Sequence, residues 1–121
     1  MKKESVEILR RLFGTPGEDF ARDISERNPP LARLIDEVAL ERIWGRPGLP
    51  LREKSLITMA SQAALGRWDQ VKMHMDSFLQ LGGTEGELAE LLFHLALYCG
   101  FPAAIAGFRV LDELRADRAK V

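Results

Sequence analysis

The chain has 121 residues, enough for one domain with a buried core and too few for a second. Hydrophobic residues make up 46% and charged residues 29%, the balance of an ordinary globular protein. The net charge is −1, with Lys and Arg scattered among Asp and Glu, so no basic stripe offers itself to nucleic acid.

The start, MKKESVEIL, has two lysines but no apolar run behind them, which argues against a secretory signal. The most apolar segment, Leu88–Phe101, is too short to span a bilayer and contains Glu90 and His94. One cysteine cannot close an internal disulfide, which fits a reducing compartment. The expected setting is the cytoplasm, with no membrane partner.

A first helix is expected over Lys3–Phe13, with Val6, Leu9, Leu12 and Phe13 on one face. Gly14-Thr15-Pro16-Gly17 should end it, and a second helix, Glu18–Arg27, opens with two acids suited to the positive end of its dipole. Asn28-Pro29-Pro30 is a hard break. After it Leu31, Leu34, Ile35 and Val38 repeat at helical spacing, predicting a third helix to about Trp44. Gly45-Arg46-Pro47-Gly48-Leu49-Pro50 specifies a fixed, non-helical path. Pro50 is placed at the first position of a fourth helix, with Glu53 in its first turn and Leu56, Met59, Ala60 and Ala63 as its stripe.

Gly66 ends that helix. A fifth, Asp69–Leu81, carries Val71, Met75, Phe78 and Leu79 on one face, and His74 falls within the same stripe. Gly82-Gly83 stops it, and Thr84 with Glu87 forms a capping box for a sixth helix. That helix is apolar on nearly every side, which implies burial among helices or at a subunit interface. Gly100 and Pro102 precede a seventh, where Ala103, Gly107, Val110, Leu111 and Leu114 share a face. The polar tail RADRAKV is expected to fray. No strand pattern or repeat stands out, so the fold class is all-α: a helical bundle of six or seven helices, one domain over residues 1–121.

His74 is the foremost candidate for chemistry. A histidine in an apolar stripe is partly desolvated, where its pKa can be tuned for proton transfer; a core histidine held by one hydrogen bond is the plain alternative. Glu53 can orient or deprotonate a group near His74, or serve only as a dipole partner at a helix start. Arg46, Arg52, Arg67 and Arg109 each match the fork geometry of a carboxylate clamp. Arg46 is favoured because a rigid loop holds it, and Arg109 because it interrupts an apolar helix. His94 follows Glu90 by one helical turn, Cys99 reads as packing, and Trp44 and Trp68 flank the fourth helix as possible pocket walls. There is no CxxC pair, no zinc spacing, no phosphate loop and no G-x-S-x-G elbow.

The run Ile43-Trp44-Gly45-Arg46-Pro47-Gly48-Leu49-Pro50, followed by Arg52-Glu53-Lys54-Ser55-Leu56-Ile57-Thr58, resembles the carboxymuconolactone decarboxylase family. The resemblance continues through Ala64-Leu65-Gly66-Arg67, His74, and Tyr98-Cys99-Gly100-Phe101-Pro102-Ala103-Ala104. It is strongest over 44–113 and looser over the N-terminal helices, 1–43. Three blocks in the right order carry it.

The resemblance implies the all-α fold of the alkyl hydroperoxidase D-like proteins, assembled as a homotrimer or homohexamer. It also implies decarboxylation of the small-molecule lactone carboxylate 4-carboxymuconolactone to 3-oxoadipate enol-lactone, in the protocatechuate branch of aromatic catabolism. Redox relatives carry Glu, CxxC and His in order; here Glu53 and His74 match the outer members and no cysteine lies between. Acid–base chemistry is therefore expected, with no cofactor and no metal. His74 is the expected proton donor, Arg46 and Arg109 hold carboxylates beside Trp44, and Glu53 either sets the protonation state of His74 or caps its helix. The alternatives are a non-enzymatic helical oligomer binding a small apolar acid and, less favoured, a thiol peroxidase.

Overall fold

The computed structural model describes residues 1–120. The chain divides into two compact units, one over Met1–Leu51 and one over Arg52–Val121. Among the described residues every regular element is helical and no strand forms, so the protein is all-α.

In the first unit α1 spans Lys3–Phe13, α2 spans Thr15–Arg27 and α3 spans Pro29–Leu34. A π-helical segment, Ile35–Trp44, continues α3 directly. Only Gly14 separates α1 from α2, so the expected four-residue break is a pivot. Gly14 adopts φ 67°, a conformation that side chains disfavour, and Pro16 sits in the first turn of α2, where its missing N–H costs nothing. The Asn28 side chain accepts a hydrogen bond from the Leu31 N–H at 3.2 Å, so Asn28 caps the helix that Pro29 and Pro30 open.

Of the stripe expected to face inward on the third helix, only Ile35 packs toward the core. Leu31, Leu34 and Val38 are exposed, while Ala32, Asp36 and Leu40 are buried. The reason lies at the start of α1. The Lys2 backbone N–H donates to both Asp36 carboxylate oxygens at 3.2 Å, and the Lys2 ammonium lies 3.7 Å from the same group. Asp36 therefore satisfies an N–H that α1 leaves without an intrahelical partner, and that interaction turns the face. Leu9, Ala21 and Leu40 form the unit's core, with Val6, Phe13, Ile35 and Trp44 packed around them.

In the second unit α4 spans Leu51–Ala64, α5 Trp68–Gln80, α6 Glu85–Cys99 and α7 Phe101–Ala119. Pro50 precedes α4 instead of opening it, a one-residue difference in where the helix begins. Met59 and Ala63 from α4 meet Val71, Met75 and Phe78 from α5, Leu88, Leu92 and Leu95 from α6, and Val110, Leu111 and Leu114 from α7. Each large side chain buried in this way contributes about 1.5–3 kcal/mol. Helix α7 packs along both α5 and α6. On α7 the buried small residues are Ala104 and Gly107, with Ala103 half-buried.

Of the RADRAKV tail, residues 115–119 belong to α7, and Val121 lies outside the described residues. Arg115 reaches Glu85 of α6 at 2.7 Å, Arg118 pairs with Asp76 of α5, and Lys72 of α5 reaches Asp117 at 2.8 Å. Polar residues on this last turn are fastened across the bundle, which composition alone does not reveal.

Candidate functional site

His74 sits on the buried face of α5, between Val71 and Phe78, and is 7% exposed. Desolvation alone pushes its pKa below the ordinary value of 6.5, so the imidazole is neutral at pH 7. The Nδ1 atom is buried and makes no hydrogen bond, though the residue as a whole does have an interaction partner. A neutral imidazole in a dry, apolar setting protonates readily once an anion arrives beside it.

One helical turn beyond His74, on the same face, the Phe78 ring is fully buried. Arg52, from the first turn of α4, lays its guanidinium over that ring at 4.8 Å. Arg52 Nη1 donates to Glu53 Oε1 at 3.3 Å, and Nη2 donates to Glu87 Oε2. These charge-assisted bonds raise the Arg52 pKa, the one to Glu87 most strongly, and Arg52 in turn holds the Glu87 carboxyl below its ordinary range.

Glu87 has a second duty. Its Oε1 accepts from the Thr84 N–H at 3.1 Å and from the Thr84 hydroxyl at 3.2 Å, while its own N–H donates to Thr84 Oγ1 at 3.1 Å. The capping box read from sequence is thus present, and it anchors Arg52 as well as starting α6. Gly83 completes the arrangement: a Cβ there would overlap the Phe78 ring, so only glycine lets the α5–α6 turn close over it. Sequence reasoning named Arg52 as one clamp among four and passed over its partners. The signal was Glu87, whose capping role gives it a fixed carboxylate for an arginine to find.

Glu53 and His74 both belong to this second unit. The Glu53 carboxylate goes to Arg52, and the shift at His74 comes from burial. Arg109 is exposed on α7 and forms no ion pair among the described residues. Trp44 and Arg46 belong to the first unit: Trp44 ends the π-helical segment half-buried against that unit's core, and Arg46 is exposed in the loop after it. His94 is exposed, with its ring 5.2 Å from Tyr98, and with Glu87 and Glu90 it borders a groove of about 600 Å³ between α4 and α6, floored by Leu56, Ala60, Leu91 and Leu95. Cys99 is a half-buried free thiol against the core. Among the described residues no three His, Cys, Asp or Glu side chains converge as a metal site, and no helix is long and apolar enough to cross a membrane.

An all-α unit with a desolvated histidine one helical turn from the ring that carries an arginine–carboxylate cluster is a scaffold suited to acid–base chemistry on an anion. The sequence profile of the carboxymuconolactone decarboxylase family matches residues 29–113, most of the chain. The chain belongs to that family. It is 33% identical over 116 residues to the 4-carboxymuconolactone decarboxylase of Acinetobacter baylyi, covering 95% of this chain and 87% of that protein. It is also 30% identical over 111 residues to the nitrosuccinic acid decarboxylase of Metarhizium robertsii, covering 91% and 78%. An uncharacterized 15.0 kDa protein of Paracoccus denitrificans is 25% identical over 118 residues.

Proposed function

We propose that this protein is a carboxy-lyase that decarboxylates 4-carboxymuconolactone, or a related lactone acid, to 3-oxoadipate enol-lactone without a cofactor. The observation that carries the reading is His74: an ionisable side chain, kept neutral by burial, on an otherwise apolar helix face. Membership of the family and the two relatives named as decarboxylases support the reaction class.

The chemistry suits a site made of side chains alone. The departing carboxylate stands on the γ-carbon of an unsaturated lactone. When that C–C bond breaks, its electron pair moves through the ring double bond onto the lactone carbonyl oxygen, and CO₂ leaves. A proton then adds to the carbon next to that carbonyl, leaving the double bond shifted. Nitrosuccinic acid likewise carries its own electron acceptor, the nitro group, and a second carboxylate. Such substrates need the protein to hold carboxylates, stabilise an oxyanion and deliver one proton.

His74 delivers that proton. It is neutral in the free protein, and the substrate's negative charge raises its pKa, so the imidazolium forms where it is needed. Arg109 is proposed to hold a carboxylate, and Glu53 to tune His74 or to cap α4. Trp44 and Arg46 are proposed as substrate contacts on the strength of the family resemblance alone. Homo-oligomerisation as a trimer or hexamer is supported by the large apolar side chains left exposed on α6 and α7, and a cytoplasmic location by the lone cysteine.

The test is an assay with 4-carboxymuconolactone, following absorbance and CO₂ release with no thiol present. His74→Gln is expected to lower kcat by about 10²–10⁴. Near-normal turnover in that variant would remove His74 from the role, and no turnover by the unaltered protein would remove the reaction.

A further inference from the structure

We propose that Arg52 is the residue that receives a substrate carboxylate, and that it does so by exchanging Glu53 for the ligand. The identity of the ligand as a dicarboxylate rests on the decarboxylase reading above; the exchange rests on the geometry around Arg52.

Arg52 is held from two sides. Its guanidinium carbon sits over the Phe78 ring at 4.8 Å, and Phe78 is itself locked between the core and Gly83. Its Nη2 is tied to Glu87, whose other oxygen is committed to the α6 cap. The cap fixes the Glu87 carboxylate in place through its Oε1, so this partner stays beside Arg52. A guanidinium carries five N–H donors, and those beyond the two bonds to Glu53 and Glu87 have no protein acceptor among the described residues.

The third partner is different. Glu53 is bound to Arg52 alone, by one contact at 3.3 Å, and no second interaction holds its carboxylate in place. With both acids attached, Arg52 carries more negative charge than it can balance. A ligand carboxylate therefore enters by displacing one of them, and Glu53 is the one free to leave. The incoming group gains a fork already oriented by the ring beneath it. Phe78 and His74 are four residues apart on one helix face, about 6 Å along the axis. A carboxylate on Arg52 therefore sits over the helical turn that follows His74, and its arrival frees the Glu53 carboxylate.

The experiment measures binding of glutarate, an unreactive dicarboxylate, by calorimetry in the unaltered protein and in Arg52→Lys, Arg52→Gln and Glu53→Gln. The lactone kinetics are measured alongside. Arg52→Gln is expected to weaken glutarate by about tenfold or more, and Arg52→Lys to weaken it less, because the charge survives without the fork. Glu53→Gln is expected to tighten glutarate by about threefold, because the competing carboxylate is gone. A residue with only a structural role does not produce a gain in affinity. Circular dichroism shows whether each variant folds; if Arg52→Gln does not, Arg52→Lys and Glu53→Gln decide the matter. Glutarate binding that is absent from the unaltered protein, indifferent to Arg52, or unimproved in Glu53→Gln would overturn the proposal. If the glutarate pattern holds while the lactone is not turned over, the Arg52 assignment stands and the decarboxylase reading falls.

Discussion

At the scale of single residues, His74 and Asp36 make a contrast. Both are buried titratable groups, and periodicity exposed only one of them. His74 stood out because it interrupts an apolar stripe, and the structure buries it as that stripe requires. Its pKa is lowered by burial, so charging it in the folded state is unfavourable. The folded protein thus binds fewer protons than the unfolded chain as pH falls through 6.5 toward the folded pKa, and stability drops across that window. Denaturation curves at pH 7 and at pH 5.5 should show a smaller loss in His74→Gln than in the unaltered protein. Asp36, by contrast, looked like an ordinary acid on a helix surface, and only the fold brings the start of α1 to it. Burial opposes its ionisation, but hydrogen bonding from Ser5 and the Lys2 N–H outweighs that and holds its carboxyl below the usual range. Asp36→Ala should cost about 1–2 kcal/mol in urea denaturation, the loss of a helix cap, with lactone turnover unaffected.

At the scale of elements, the second unit was readable almost helix by helix, because its breaks are chemical. Gly66, Gly82-Gly83 and Gly100 end helices, and Thr84 with Glu87 starts one through its own hydrogen bonds. The third helix was misread at its face because Leu31, Leu34 and Val38 satisfy the spacing rule while a single buried acid decides the orientation. The α5–α6 turn is the element on which the site depends. Gly83→Ala should push the Phe78 ring aside and cost about 1–3 kcal/mol, the range for overpacking, seen as a lower denaturation midpoint. It should also weaken glutarate binding through the displaced Arg52.

At the scale of the whole molecule, Phe93, Leu97, Tyr98, Phe101 and Ile105 are all more than half exposed on α6 and α7, which is an expensive surface to leave in water. The apolar character of the sixth helix on nearly every side therefore has two parts: Leu88, Leu92 and Leu95 fill the core with Leu91 and Cys99 against it, and Phe93, Leu97 and Tyr98 face outward. Sedimentation of the protein should give the mass of a trimer or hexamer, and Leu97→Glu should shift it toward the monomer. Monomeric sedimentation of the unaltered protein would overturn the proposed assembly. The one-domain organisation proposed from length has its own check: far-ultraviolet circular dichroism and tryptophan fluorescence should report a single coincident unfolding transition.

The sequence by itself determined what depends on neighbours along the chain. The all-helical class, most helix breaks, the α6 cap, the apolar face that carries His74, and the absence of a second cysteine beside Cys99 all follow from local spacing and composition; the π-helical form of Ile35–Trp44 does not. Tertiary structure decided what depends on residues far apart in sequence. It turned the helix that carries Asp36 so that this acid faces the start of α1, fastened the C-terminal turn to α5 and α6, and gathered Arg52, Glu53, Phe78 and Glu87 from three helices into one cluster. Local patterns fix which residues share a helix face; only packing fixes which faces meet, and charge pairing between helices is settled there.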